Sequence, residues 1–131
     1  MTAEFHKLYL EGIRLFNEEE FFESHDALEE LWSEIVGEDK KFYQGLIQAA
    51  VALFHFGNEN FGGARKLYES SREKLDMYRP RYLGVDLEKF LADFQFCFAE
   101  LIAADDKYPK NVELQDDRVP KIELAADPTG E

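Results

Sequence analysis

His25, Glu29 and Trp32 follow one another at helical spacing, and Gln44, Gln48 and His55 do so again on the next helical stretch. On a helix turning by about 100° per residue, His25 falls inside an apolar stripe of Phe21, Phe22, Leu28, Trp32 and Val36, opposite Glu23, Glu30 and Glu34. Glu29 lies at the margin of that stripe, one turn beyond His25. Gln44, Gln48 and His55 share a narrow stripe with Val51 on a helix that is otherwise apolar all round. An imidazole and a carboxylate one turn apart can share a proton, act as acid and base, or grip one metal ion. Carboxamides donate and accept together.

Three readings of this set stay open. In the first, the two helices face each other across a buried polar seam, and the six side chains satisfy one another. An unpaired buried polar group costs about 1–3 kcal/mol, so such a seam would fix helix register. In the second, His25, Glu29, Trp32, Gln44, Gln48 and His55 line a small ligand pocket. In the third, His25, Glu29 and His55 bind a metal ion. Neither the paired Glu-x-x-His sequences of di-metal bundles nor His-Glu-x-x-His is present. The expectation is therefore a non-catalytic binding or interaction module for a protein or small molecule, with no cofactor and no assigned catalytic residue. The alternative is a metal-assisted or acid–base, hydrolase-like enzyme using His25 and Glu29. His6 lies outside the pattern and reads as a surface residue.

The elements that must position these groups are all helical. Periodicity and end signals predict helices over about 2–16, 19–36, 40–56, 61–78 and 87–104. Asn17 in a left-handed conformation would close the first, and Gly37 and Gly57 the second and third. Asp39, Asn60 and Asp86 are the expected N-caps of the last three. The third helix should be central and packed on all sides. The fold class is all-α: a compact multihelical array of about five helices around that helix. Residues 1–104 form the helical domain. Residues 105–131, with Pro109, Pro120 and Pro128, form an extended tail pinned by Val112, Leu114, Val119, Ile122 and Leu124, its last residues disordered. A weak echo pairs Leu15-Phe16, Phe22 and Leu28 with Leu53-Phe54, Phe61 and Leu67, offset by roughly 39 residues.

Charge narrows the partners. Of 131 residues, 28 are acidic and 15 are lysine or arginine, a formal net charge of −13. Such a surface repels phosphate backbones and anionic membranes; its acidity either only keeps the protein soluble or serves a cationic partner. The longest apolar stretch, 42–56, is interrupted by Gln44, Gln48 and His55 and is too short to span a bilayer. No secretion leader is recognisable, and the lone Cys97 suits a reducing compartment, so a cytoplasmic location is expected. Gly62-Gly63 should allow close helix packing. Ser24, Ser70 and Ser71 read as ordinary helix-face residues. Tyr78-Arg79-Pro80-Arg81-Tyr82 is the one basic patch, open to an anion or to the chain's own carboxylates. Phe90, Phe94, Phe96 and Phe98 cover more than one face of the last helix, which leaves a homodimer open.

The stretch 15–32, Leu-Phe-Asn-Glu-Glu-Glu-Phe-Phe-Glu-Ser-His-Asp-Ala-Leu-Glu-Glu-Leu-Trp, resembles the first signature of domain-of-unknown-function family 309. The stretch 42–50, followed by His55, Gly57-Asn58 and Gly63-Ala64, is similar to the second. The likeness runs over roughly residues 5–124. Glu19 stands where that family usually has Gly, Ser24 where it has Ala, and Asp26 where it often has Glu. The resemblance implies a compact helical fold, no established activity, and weight on Glu23, His25, Glu29, Trp32, Gln44 and Gln48.

Overall fold

The computed structural model describes residues 3–104 and 106–124. Among them the chain forms α1 (Ala3–Asn17), α2 (Phe21–Glu34), α3 (Asp39–Gly57), α4 (Phe61–Asp76) and α5 (Leu87–Ala103). A two-stranded hairpin, β1 (Arg81–Tyr82) and β2 (Val85–Asp86), joins α4 to α5, and a 3-10 turn follows at Asp116–Arg118. The all-α expectation holds. The expected disorder of the last residues falls outside the described residues.

Two helical hairpins, α1–α2 and α3–α4, have the same turn. In the first, the Glu20 N–H donates to the Leu15 carbonyl (2.9 Å) and the Glu19 N–H to that of Phe16 (3.0 Å). In the second, Asn60 donates to His55 (2.8 Å) and Glu59 to Phe56 (3.1 Å). This paired hydrogen bonding is a Schellman ending, which needs one left-handed residue. That residue is Glu19 in the first turn and Glu59 in the second, each at φ 62°. The left-handed position is thus Glu19 and not Asn17, and it is the position at which the resembled family usually has glycine. The offset between the hairpins is 40 residues. It aligns Phe16 with Phe56, Phe21 with Phe61 and Leu28 with Tyr68, all buried, and replaces the 39-residue pairing read from the sequence.

The hairpins pack tightly. A Cβ on Gly12 would lie 2.6 Å from the Leu28 side chain, and one on Gly45 would lie 2.8 Å from that of Leu75. No larger residue allows α1 against α2, or α3 against α4, at that separation. The α2 helix ends earlier than its stripe suggests, because Ile35 is extended. Val36 is consequently exposed. Lys40 Nζ donates to the carbonyls of Trp32 (2.8 Å) and Ile35 (3.1 Å), which places a cation at the negative end of α2. Asp39 does not cap α3. Its carboxylate accepts from the Tyr82 hydroxyl instead. Asn60 and Asp86 do cap, accepting from the Gly63 and Lys89 N–H groups.

Helix α5 lies across one face of these hairpins. Phe90 meets Phe16 of α1 (5.8 Å between ring centroids), Phe98 meets Phe56 of α3 (4.9 Å), and Tyr68 of α4 stacks on Phe98 at 4.5 Å. Phe90, Phe94 and Phe98 are all buried. Phe96 points outward, and the Arg118 guanidinium lies over its ring at 4.7 Å. Beyond α5 the described chain, helical only in that 3-10 turn, is held by the core: Val119 and Ile122 are buried, while Val112, Leu114 and Leu124 pack against its edge.

A non-glycine residue in the left-handed region is strained by its Cβ. Glu59→Gly should therefore raise stability by about 0.5–1 kcal/mol, read from the urea midpoint. Glu19→Gly should gain less, because Glu19 also pairs with Lys121. An unchanged or lowered midpoint for Glu59→Gly would contradict the turn geometry.

Candidate functional site

Helix α3 is flanked by α2 and α4, yet it is not buried all round. Gln44, Gln48, Val51 and His55 are all half-buried. Contacts on either side show where this stripe lies. Toward α2, Phe54 meets Phe22 (5.8 Å between centroids), and Lys40 sits 4.2 Å over the Trp32 ring. Toward α4, the Ser70 hydroxyl donates to Gln48 Oε1 (2.8 Å), and His55 Nδ1 lies 3.2 Å from Asn60 Nδ2. The stripe thus lies between the α2 and α4 contacts of α3 and is only partly covered.

The six expected residues line this open face and do not meet as one cluster. His25 is half-buried, with 23% of its side chain exposed. Its Nε2 lies 3.5 Å from Glu29 Oε2, so that pair forms as its spacing requires. Its Nδ1 lies 3.3 Å from Asp26 Oδ1 without hydrogen-bond alignment. The Phe22 ring rests at 5.7 Å from the imidazole. Glu29 is exposed. Trp32 is half-buried, held by Lys40 both over its ring and at its carbonyl. Gln48 and His55 turn to α4 and not to α2. A Cβ on Gly63 would lie 2.9 Å from His55 Cδ2, so Gly63 permits that approach, while Gly62 has open space.

The alternative ligand set of His25, Glu29 and His55 is not assembled. His55 faces the α3–α4 turn, and among the described residues no three His, Cys, Asp or Glu side chains gather to hold an ion. The basic patch is spent internally: Arg79 pairs with Asp76 and Glu88, and Arg81 lies 3.7 Å from Asp86. A groove of about 440 Å³ is lined by other residues, Gly37, Glu38, Lys41, Met77, Tyr78 and Tyr82.

Two features escaped the sequence reading. Ser24 and Ser71 are fully buried, and the Ser24 hydroxyl donates to the Gly12 carbonyl (2.7 Å). Small size at the α1–α2 crossing was the available signal. The second is a tyrosine pole around Phe42. The Tyr9 hydroxyl donates to the Leu83 carbonyl (2.9 Å), that of Tyr78 to Glu38 (2.7 Å), and that of Tyr82 to the Asp39 carboxylate. Burial raises the Tyr9, Tyr43 and Tyr82 phenols, with nearby Asp39 adding to it, so they stay protonated; Tyr9 and Tyr82 serve as donors, whereas the buried Tyr43 hydroxyl has no hydrogen-bond partner among the described residues.

Residues 9–67 match the family described as Domain of unknown function (DUF309). The resemblance read from the sequence is thus borne out over the segment from α1 into α4, which holds both signature stretches. A 53-residue stretch is 42% identical to the uncharacterized protein YpuF of Bacillus subtilis (strain 168). The match covers 40% of this chain and 30% of that protein, so the chain accounts for less than a third of its relative's length. No helix among the described residues is long and apolar enough to cross a membrane.

Burial pushes the Cys97 thiol up to about 12. A thiol with a raised folded value favours the native state below its unfolded value, near 9, and that preference is lost as pH rises through the folded value. The raised tyrosines act in the same direction. Native protein should therefore resist alkylation by iodoacetamide at pH 8, reacting at least a hundredfold more slowly than in urea, and stability should fall above about pH 9. Native-state alkylation at the unfolded rate would show that Cys97 is not enclosed.

Proposed function

We propose that this chain is a non-catalytic interaction module that takes a cationic, apolar-anchored helical segment of another protein on the open α2–α3 face. The observation that carries this is an exposed ring pair in an acidic frame. Phe22 and Phe54 are 52% and 37% exposed although they touch each other. Between residues 18 and 38 stand nine acidic residues and no lysine or arginine. The exposed aromatics lie beside Asp26 and Glu29, and His25 and Trp32 continue the same face along α2.

Magnitudes assign the roles. Burying a phenylalanine side chain contributes about 1.5–3 kcal/mol, whereas an exposed ion pair contributes about 0–1 kcal/mol. Phe22 and Phe54 would supply most of the affinity. The carboxylates would choose a basic partner over an acidic one and speed its approach. A partner helix with apolar residues along one side and lysines along its flanks satisfies both. His25 and Glu29 act in this reading as a polar rim, and Trp32 as a rigid end of the face, fixed by Lys40.

The test uses a fluorescent amphipathic Leu–Lys peptide and the full chain. Phe22→Ala combined with Phe54→Ala should weaken binding at least tenfold. Asp26→Asn with Glu29→Gln should weaken it less and flatten its salt dependence, and Phe96→Ala on the opposite side should change nothing. Equal affinity for wild type and the double phenylalanine variant would reject this face as the binding surface.

A further inference from the structure

A second surface, distinct from the α2–α3 face, already holds a peptide. Residues 119–124 run without helix over the α1–α2 turn. The Asn17 side chain clamps the main chain of Ile122 from both sides: its Nδ2 donates to the Ile122 carbonyl (2.9 Å), and its Oδ1 accepts from the Ile122 N–H (2.7 Å). Lys121 Nζ donates to the Asn17 carbonyl (2.8 Å) and lies 3.4 Å from Glu19. Glu123 pairs with Lys89 at 3.3 Å. Leu124 forms an antiparallel bridge to Val85, at the open edge of the β hairpin.

The burial pattern is that of an added strand. Pro120 and Ile122 are buried, Lys121 and Glu123 are exposed, and Leu124 turns back toward the core. This alternation has the period of extended chain. Asn17 reads the peptide's backbone and therefore accepts any residue there. Selection comes from the apolar seat of Ile122 and from Glu19, which asks for a cation one position earlier. Backbone reading at an open edge with pockets for alternate side chains is how extended peptides are recognised by strand addition.

We propose that Asn17, Glu19 and Val85 form a peptide-binding edge closed in this chain by its own tail, and that the edge opens to an extended segment of a partner protein with the pattern aliphatic–Pro–Lys–aliphatic. The observed occupant specifies that chemistry. Its hold combines the buried Val119, Pro120 and Ile122 with the Asn17 clamp and with ion pairs that are open to solvent. A tethered tail competes at an effective concentration on the order of millimolar, so the free chain stays closed and a partner must match or exceed the tail's fit.

The test uses the full chain carrying Lys121→Glu and Ile122→Asp, which unseats the tail, and a labelled synthetic peptide with the sequence of residues 117–124. The peptide should bind this variant at least tenfold more tightly than wild type, and adding Asn17→Ala should remove at least tenfold of that affinity. A helical variant that does not bind, or that binds equally with Asn17→Ala, overturns the proposal. Hydrogen exchange on the wild-type chain covers a variant that fails to fold. The Ile122 amide should exchange at least a hundredfold faster than the amides of Leu53 and Phe56, and equal rates would show that the tail leaves only on global unfolding.

Discussion

The row of rings on α5 is the constraint on which the rest depends. Phe90, Phe94 and Phe98 meet rings from α1, α3 and α4. They seal one face of the paired hairpins with aromatic side chains, each able to bury 150–250 Å². With that face closed, α2 and α4 can flank α3 without covering its far side. The half-buried stripe of Gln44, Gln48, Val51 and His55 follows from this, and so does the exposure of Phe22 and Phe54. A polar stripe on a central helix is tolerable because water reaches it, where a sealed one would need every group paired.

Much of this was legible in the sequence, for reasons that particular residues make clear. The first helix was found because Phe5, Leu8, Tyr9, Gly12, Ile13 and Phe16 recur at helical spacing, and Tyr9, Gly12, Ile13 and Phe16 of these are buried. Asn60 and Asp86 were found as caps because short polar side chains there reach the free N–H groups of the next turn. The left-handed position was missed because a glutamate occupies it. Only the hydrogen bonds of the turn reveal Glu19 and Glu59 as equivalents, and they also correct the repeat offset from 39 to 40 residues.

The candidate site was legible as a set of unusual residues but not as an arrangement. A helical wheel ranks side chains around their own axis and says nothing of which sector a neighbour covers. Val51 and Phe54 made α3 look apolar throughout, although both lie on its open side. The wheel also placed Phe22 and Val36 in a buried stripe, and tertiary context exposes both: α2 stops before Val36, and Phe22 faces outward over His25. Gln48 and His55 were set against α2 because they lie close to Gln44 on the wheel. The α3–α4 packing at Gly45 and Gly63 instead draws them toward Ser70 and Asn60.

The central claim is that the hairpins have one sealed face and one open face, with His25 on the open one. A neutral, soluble paramagnetic chelate tests it directly through side-chain proton relaxation in the native protein. Strong broadening is expected for the rings of Phe22 and Phe54, an intermediate effect for His25 and Trp32, and none for Phe94, Phe98 and Tyr68. Rings of Phe22 and His25 as well protected as Phe94 would contradict it, and would return the polar residues of α2 and α3 to a closed interior seam.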